Sequence, residues 1–428
     1  MLRIADLTTR LHTLSNGVRV VCDPMPGLRT IAVTVAVNGG ARMEDESRSG
    51  WSHLLEHLVF KGAGDMGARD IVERVEAEGG SINAATGYER TSFDIRALKG
   101  SLPLAMQVLS DLVFRPTLSP DEIEREKDVV AQEIAEAFDT PDDHVFEMAQ
   151  TQAFAGQGLG RPILGSIASL APADRAAVSD WRARLYSPDR MVVAVSGAVE
   201  EGELLALAET WFGQAEASPR EPSAPAAFAG GEARLARKIE QANLVFQLPS
   251  LGARDPRLPA LRLFTEILGG GMASRLFQSA REDRGLAYAI DAYHETYDDL
   301  GVLGVYAGAA ADRSLELADL CAAEILDLAE KGPTEQELAR AKAVLNAGLW
   351  MADESPASRS GRLAGQTLVF GAPVSSEDSA ARIDAQTAQD LREVGRAMAA
   401  SGRSATAVLG PRAAGGAGRA FRERMAGR

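Results

Sequence analysis

The stretch Ser119-Pro120-Asp121-Glu122-Ile123-Glu124-Arg125-Glu126-Lys127-Asp128-Val129-Val130 has a counterpart in the second half of the chain, Thr334-Glu335-Gln336-Glu337-Leu338-Ala339-Arg340-Ala341-Lys342-Ala343-Val344-Leu345. In both copies a Ser or Thr is followed three residues later by Glu, a capping box that opens a helix. Arg125/Arg340 and Lys127/Lys342 coincide at the same offset, and a further helical pattern precedes each copy, Leu102–Leu112 and Leu315–Leu328. Convergence on a common helix-hairpin pattern is the competing explanation; agreement at one constant offset favours internal duplication. A duplicated chain folds as two related domains, and 428 residues are enough for two separate cores.

Between the copies, Ala217–Gly231 is rich in Pro, Ser, Ala and Gly and has neither helical nor strand periodicity, so it reads as a linker. This divides the chain into domains 1–216 and 232–428. Strand patterns fall at 18–22, 30–37, 81–96 and 191–196 in the first half, and at 243–248, 286–293, 301–307 and 405–410 in the second. Helical patterns near 50–60, 68–78, 102–113, 120–138 and 201–212 alternate with them. The expected class is α+β: two homologous domains, each a largely antiparallel sheet with helices packed on one face. The Gly/Arg-rich tail 412–428 has little apolar periodicity and is expected to be poorly ordered or weakly docked.

The formal charge of −15 argues against nucleic acid as a partner. No apolar run approaches the roughly 20 residues needed to cross a bilayer. Met1–Asp6 lacks the apolar segment of a signal peptide. Two distant cysteines, Cys22 and Cys321, make no disulfide framework, so the expected compartment is the cytoplasm.

Chemistry concentrates in Trp51-Ser52-His53-Leu54-Leu55-Glu56-His57-Leu58-Val59-Phe60. On a helix, His53 and His57 point the same way one turn apart, as two metal ligands on one element must. Glu56 lies near that face and can act on a water without occupying a ligand position, the division of labour of the inverted His-x-x-Glu-His motif. The alternative, two histidines buried as core residues, would place two imidazoles and a carboxylate unpaired in an apolar helix, which is costly. Catalytic zinc usually takes three protein ligands. The acidic helix after Ser119 offers Glu122, Glu124, Glu126, Glu133 and Glu136. Glu126 and Glu133 share a face two turns apart, but charge pattern alone does not choose among them. His12 and His144 read as surface residues and His294 as structural.

The His53–His57 motif followed by Phe60-Lys61-Gly62 resembles the pitrilysin/insulinase family of zinc peptidases, and within it the two-chain branch of mitochondrial processing peptidase and its bacterial relatives. The resemblance runs over nearly the whole chain. It implies one zinc ion per chain with Glu133, in the run Val130-Ala131-Gln132-Glu133-Ile134, as third ligand, and Glu126 in support of Glu56 and the site. It also implies that Gly79-Gly80-Ser81-Ile82-Asn83-Ala84 is an edge strand binding substrate backbone, with Asn83 and Ala84 at the contact. Gly160–Gly165 resembles a characteristic family loop. In the second half, Arg281 and Tyr288 match a pair that holds substrate near the scissile bond. At the offset of the repeat, Glu126 and Glu133 fall on Ala341 and Gly348, so the second copy has lost the metal site. Family members enclose peptides in a clamshell of four such domains; a two-domain chain is half of one, which implies a homodimer, or a heterodimer with a related chain. The implied activity is zinc-dependent endopeptidase action on peptides. The rival is a non-catalytic scaffold or a substrate-holding subunit of a heterodimeric peptidase.

Overall fold

A computed structural model describes residues 9–219 and 224–427. The chain divides into two compact units. One comprises the chain up to Ile134, the stretch from Pro162 to the linker, and Leu349–Ser379; the other comprises Ala135–Arg161, Ala224–Gly348 and the chain from Ala380 onward.

The first unit is built on a six-stranded sheet of β1 (Arg10–Thr13), β2 (Arg19–Pro24), β3 (Thr30–Val37), β4 (Ser81–Thr86), β5 (Thr91–Leu98) and β6 (Met191–Gly197) in the order β1-β2-β6-β3-β5-β4. β3 and β6 are runs of Val, Ile and Ala, buried almost throughout, which suits central strands covered on both faces. β4 alternates in exposure, as an edge strand should. Segment 81–96 is thus a hairpin, β4 and β5, turning at Gly87–Arg90. Helices α1 (Trp51–Val59), α2 (Ala68–Ala77), α3 (Leu102–Phe114), α4 (Pro120–Asp139) and α6 (Glu201–Phe212) supply much of one apolar core against this sheet, with α5 being Pro141–Ala153.

The second unit repeats the plan. Its strands β7 (Gly231–Ala236), β8 (Gln241–Ser250), β9 (Ala287–Thr296), β10 (Gly301–Ala310) and β11 (Ala405–Gly410) run in the order β9-β10-β8-β11-β7. β2 pairs β6 in parallel and β7 pairs β11 in parallel; every other neighbour in both sheets is antiparallel. Its helices include α7 (Leu258–Gly269), α8 (Ser314–Lys331), α9 (Glu335–Asp353), α11 (Ala388–Ala400) and α12 (Ala417–Met425), with α10 being Pro356–Phe370. The long helices α4 and α9 start at Pro120 and Glu335, the offset of the sequence repeat. The reciprocal cap is present at α9, where Thr334 and Glu337 exchange backbone hydrogen bonds. At α4, Glu122 instead pairs with Arg125.

The compact units differ from the contiguous halves drawn from sequence, because each half gives one short helix to the other's sheet. α10, from the second half, lies on the first sheet, where Leu363, Ala364 and Leu368 pack on Val21, Ala36, Val192 and Ala194. α5, from the first half, lies on the second sheet, where Val145 and Ala149 pack on Val245, Ala407 and Leu409. Each helix covers the sheet face that the other helices leave open, and their starts, Pro141 and Pro356, again keep the offset of the repeat. Arg359 of α10 anchors the exchange with paired hydrogen bonds to the buried Asp23 of β2, at 2.7 and 2.6 Å.

The tail is a correction to the expectation of weak docking. Arg412–Gly416 forms a 3-10 turn and α12 follows, with Phe421 fully buried and stacked on Phe246 at 4.4 Å. Only Ala417 and Phe421 supply its inward face together with Gly418, too few apolar residues for a visible period. His12, read as a surface residue, sits on β1 and is bonded to Glu201 at 2.7 Å. Both cysteines are buried and free. Of the expected linker, residues 220–223 lie outside the described residues, as does the Met1–Asp6 segment; Gly231 opens β7. No helix among the described residues is long and apolar enough to cross a membrane.

Candidate metal centre

α1 buries Trp51, Leu54, Leu55, Leu58 and Val59, a stripe at helical spacing that fixes its roll on the sheet. That leaves His53, Glu56 and His57 half-buried on the flank. Its start is held tightly. Gly50 is left-handed (φ 89°), and a Cβ there would lie 2.5 Å from the Leu164 carbonyl, so only glycine fits. The 162–165 part of the family-like loop therefore backs directly onto this helix. Glu44, buried at 3% exposure, accepts from the Gly50 and Ser52 amides at 2.8 and 2.7 Å, an acidic cap on the helix N-terminus. The Trp51 indole donates to the Ser169 carbonyl at 2.8 Å. Glu44 was passed over in the sequence; its signal was an acid a few residues ahead of a helix that has no capping Ser, Thr or Asp.

α4 turns the stripe Ile123, Glu126, Val130 and Glu133 towards α1. Glu133 Oε2 lies 3.9 Å from His53 Nε2 and 3.6 Å from His57 Nε2. Ligand atoms of the three residues fall within 4.8 Å of one another, the one such group of three among the described residues. The imidazole rings are 4.7 Å apart and tilted by 58°. Glu126, 3% exposed, accepts from His57 Nδ1 at 3.0 Å through Oε2. That bond places the proton on Nδ1 and leaves the Nε2 lone pair directed towards Glu133. Burial, followed by the neighbouring His57, pushes His53 down to about 4, so it is a neutral imidazole at ordinary pH.

The donor set suits zinc: two neutral imidazoles and one carboxylate are a known catalytic combination. Glu133 Oε2 is buried without a hydrogen-bond partner, as is Glu56 Oε2. Orphaned carboxylate oxygens at this depth are rare and ask for a ligand.

Beside the histidines runs a cleft of about 400 Å³ lined by Glu56, His57, Phe60, Lys61, Glu126 and, from the edge strand β4, Asn83 and Ala84. The outer edge of β4 has no strand neighbour among the described residues, so its backbone is available to an extended peptide. Arg281 and Tyr288 belong to the other unit. Arg281 is exposed on a π-helical turn, Phe277–Glu282, with its guanidinium 4.8 Å from the Phe277 ring. Tyr288 is the extra residue of a β-bulge: Ala287 faces Ala309 while Ala289 faces Gly308, and the side chain is 61% exposed. In α9, the positions matching Glu126 and Glu133 are the buried Ala341 and the exposed Gly348, where an added Cβ would meet nothing within 4 Å.

Residues 19–167 match the model for insulinase, peptidase family M16, and residues 172–345 match that for the peptidase M16 inactive domain. An uncharacterized zinc protease of Mycobacterium bovis is 36% identical over 95% of this chain and 94% of its own length. One from Bacillus subtilis is 34% identical over 84% of this chain and 88% of its own. The crystal structure of a protease from Helicobacter pylori superposes with a TM-score of 0.86 at 20% identity, over 96% of this chain and all of that one.

Proposed function

Because the chain belongs to the insulinase family of peptidases, M16, we propose that it is a zinc-dependent endopeptidase with the metal on His53, His57 and Glu133. The observation that carries this reading is the convergence of three ligand atoms, with the buried, unpaired Glu56 oxygen one residue from His57. Bound zinc supplies the Lewis-acid charge that polarises a peptide carbonyl and makes the attacking water more acidic. Glu56 takes the proton of that water at Oε2 and delivers it to the leaving amine. Glu126 orients His57 through Nδ1. Substrate backbone adds along β4 past Asn83 and Ala84, beside the cleft.

In the same reading the working enzyme is a homodimeric clamshell. Arg281 and Tyr288 of one chain hold the peptide at the metal centre of its partner. This part rests on the family resemblance and on the exposure of both side chains.

The test is zinc analysis of the purified chain together with chelator-sensitive cleavage of a mixed peptide library. Glu56→Gln is expected to keep stoichiometric zinc and to lose hydrolysis by a factor of at least about 10². Retained turnover would remove Glu56 from its role. A metal-free chain that becomes active only with a second, different chain would favour the substrate-holding alternative, which the match to an inactive domain also brings to mind.

A further inference from the structure

We propose that Lys61 is a positioning residue of the metal centre: it holds Glu126 so that His57 is oriented before any metal arrives. The inference rests on the reading of His53, His57 and Glu133 as ligands.

Lys61 continues the spacing of His53 and His57 by one more turn, and its backbone N–H still donates to the Leu58 carbonyl at 3.1 Å. Against this stripe α4 sets Glu133 and Glu126 in reverse order. His53 meets Glu133 at 3.9 Å, His57 meets Glu133 at 3.6 Å and Glu126 at 3.0 Å, and Lys61 meets Glu126 at 2.8 Å. Lys61 closes the row. A carboxylate as buried as Glu126 is stable only when both oxygens are bonded. Oε2 takes the His57 N–H, and Oε1 takes the Lys61 ammonium, which supplies a compensating charge. Without it, Glu126 keeps one partner, its second oxygen turns towards water, and the hold on the imidazole loosens.

A bystander cation near a metal site has the opposite signature, since removing it would tighten metal binding through lost repulsion. The sign of the change therefore decides. The full chain would be compared with Lys61→Met, which retains the stem, with Lys61→Gln and Lys61→Arg, and with Glu126→Gln alone and combined with Lys61→Met. Zinc affinity is read by competition with a chelator, and the Nδ1–H signal of His57 by nitrogen-15 NMR of the metal-free protein. Lys61→Met and Lys61→Gln should weaken zinc about tenfold, the lower end for groups behind a ligand. Lys61→Arg should restore affinity, and Lys61→Met should cost nothing further once Glu126 is Gln. The Nδ1–H signal should weaken or broaden in Lys61→Met. Unchanged or tighter zinc binding by Lys61→Met and Lys61→Gln, or a full additional loss in the double variant, would overturn the proposal. A wild-type chain that binds no zinc would instead defeat the functional reading. The NMR comparison would then decide on Lys61 by itself, an unaltered His57 signal counting against it.

Discussion

Arg359→Met removes the guanidinium that holds α10 to β2 while keeping most of the side-chain volume. Asp23 has no exposed surface, and besides Arg359 it accepts from Thr9 at 2.8 Å. Burial alone would raise its pKa; the hydrogen bonds from Arg359, Ser196 and Thr9 and the Arg359 charge together outweigh that and hold it below the usual carboxylate value. In the variant the buried carboxylate either stays charged without its partner, at about 3–5 kcal/mol, or takes up a proton on folding. Protonation sets a ceiling. From an unfolded pKa of about 3.9 it costs about 1.4 kcal/mol per pH unit, so roughly 4 kcal/mol at pH 7 and about 1.5 at pH 5. The sign follows: the depressed wild-type pKa gives stability that is present above the unfolded pKa and lost as pH falls through the folded value. The deficit of Arg359→Met is therefore greatest at neutral pH and shrinks on acidification. Urea unfolding of both proteins at pH 7, 6 and 5 would measure it, with the m-value as a check that the folded state is unchanged. A loss below about 1 kcal/mol at pH 7, or one independent of pH, would refute the reasoning.

Two further outcomes follow from packing and titration in the second unit. Phe421→Ala should cost about 3–5 kcal/mol, seen as a drop in urea midpoint, because the ring stacks on Phe246 in a closed core. No change would mean that α12 is not docked. Burial would raise Glu337, but its hydrogen bonds with Arg275 and Thr334, together with the Arg275 charge, prevail and hold it at about 2. Its contribution is then present above the usual carboxylate range and lost as pH falls towards 2. Glu337→Gln should be about 1–2 kcal/mol less stable than wild type at pH 7, after allowance for solvent screening, with the gap closing from pH 5 to pH 3. A gap that widens on acidification would contradict the pairing.

How far the sequence could be read depended on whether a feature was local. The spacing of His53 and His57 is a property of one helix, and the structure sets both imidazoles on one flank of α1. The strand runs of β3 and β6 declare themselves by composition, and the repeat by its constant offset. The third glutamate is different: five glutamates on one helix are equivalent in charge pattern, and beyond the family resemblance it is the facing stripe of α1 that separates Glu126 and Glu133 from the rest. The helix exchange was invisible for a related reason. The sequence patterns single out neither 141–153 nor 356–370 as a helix, and even an apolar side would not say which sheet it covers. Lys61 was written in the same interval as the two histidines, yet a lysine after a helix reads as solvent-facing until its partner across the gap is known.

The exchange of α5 and α10 bears on how the chain can be cut. A break in the linker would leave one face of each sheet bare, because the helix that covers it lies in the other half of the sequence. Neither contiguous half is then a complete folding unit, and a truncation meant to keep the metal ligands must carry α10 along with the first sheet.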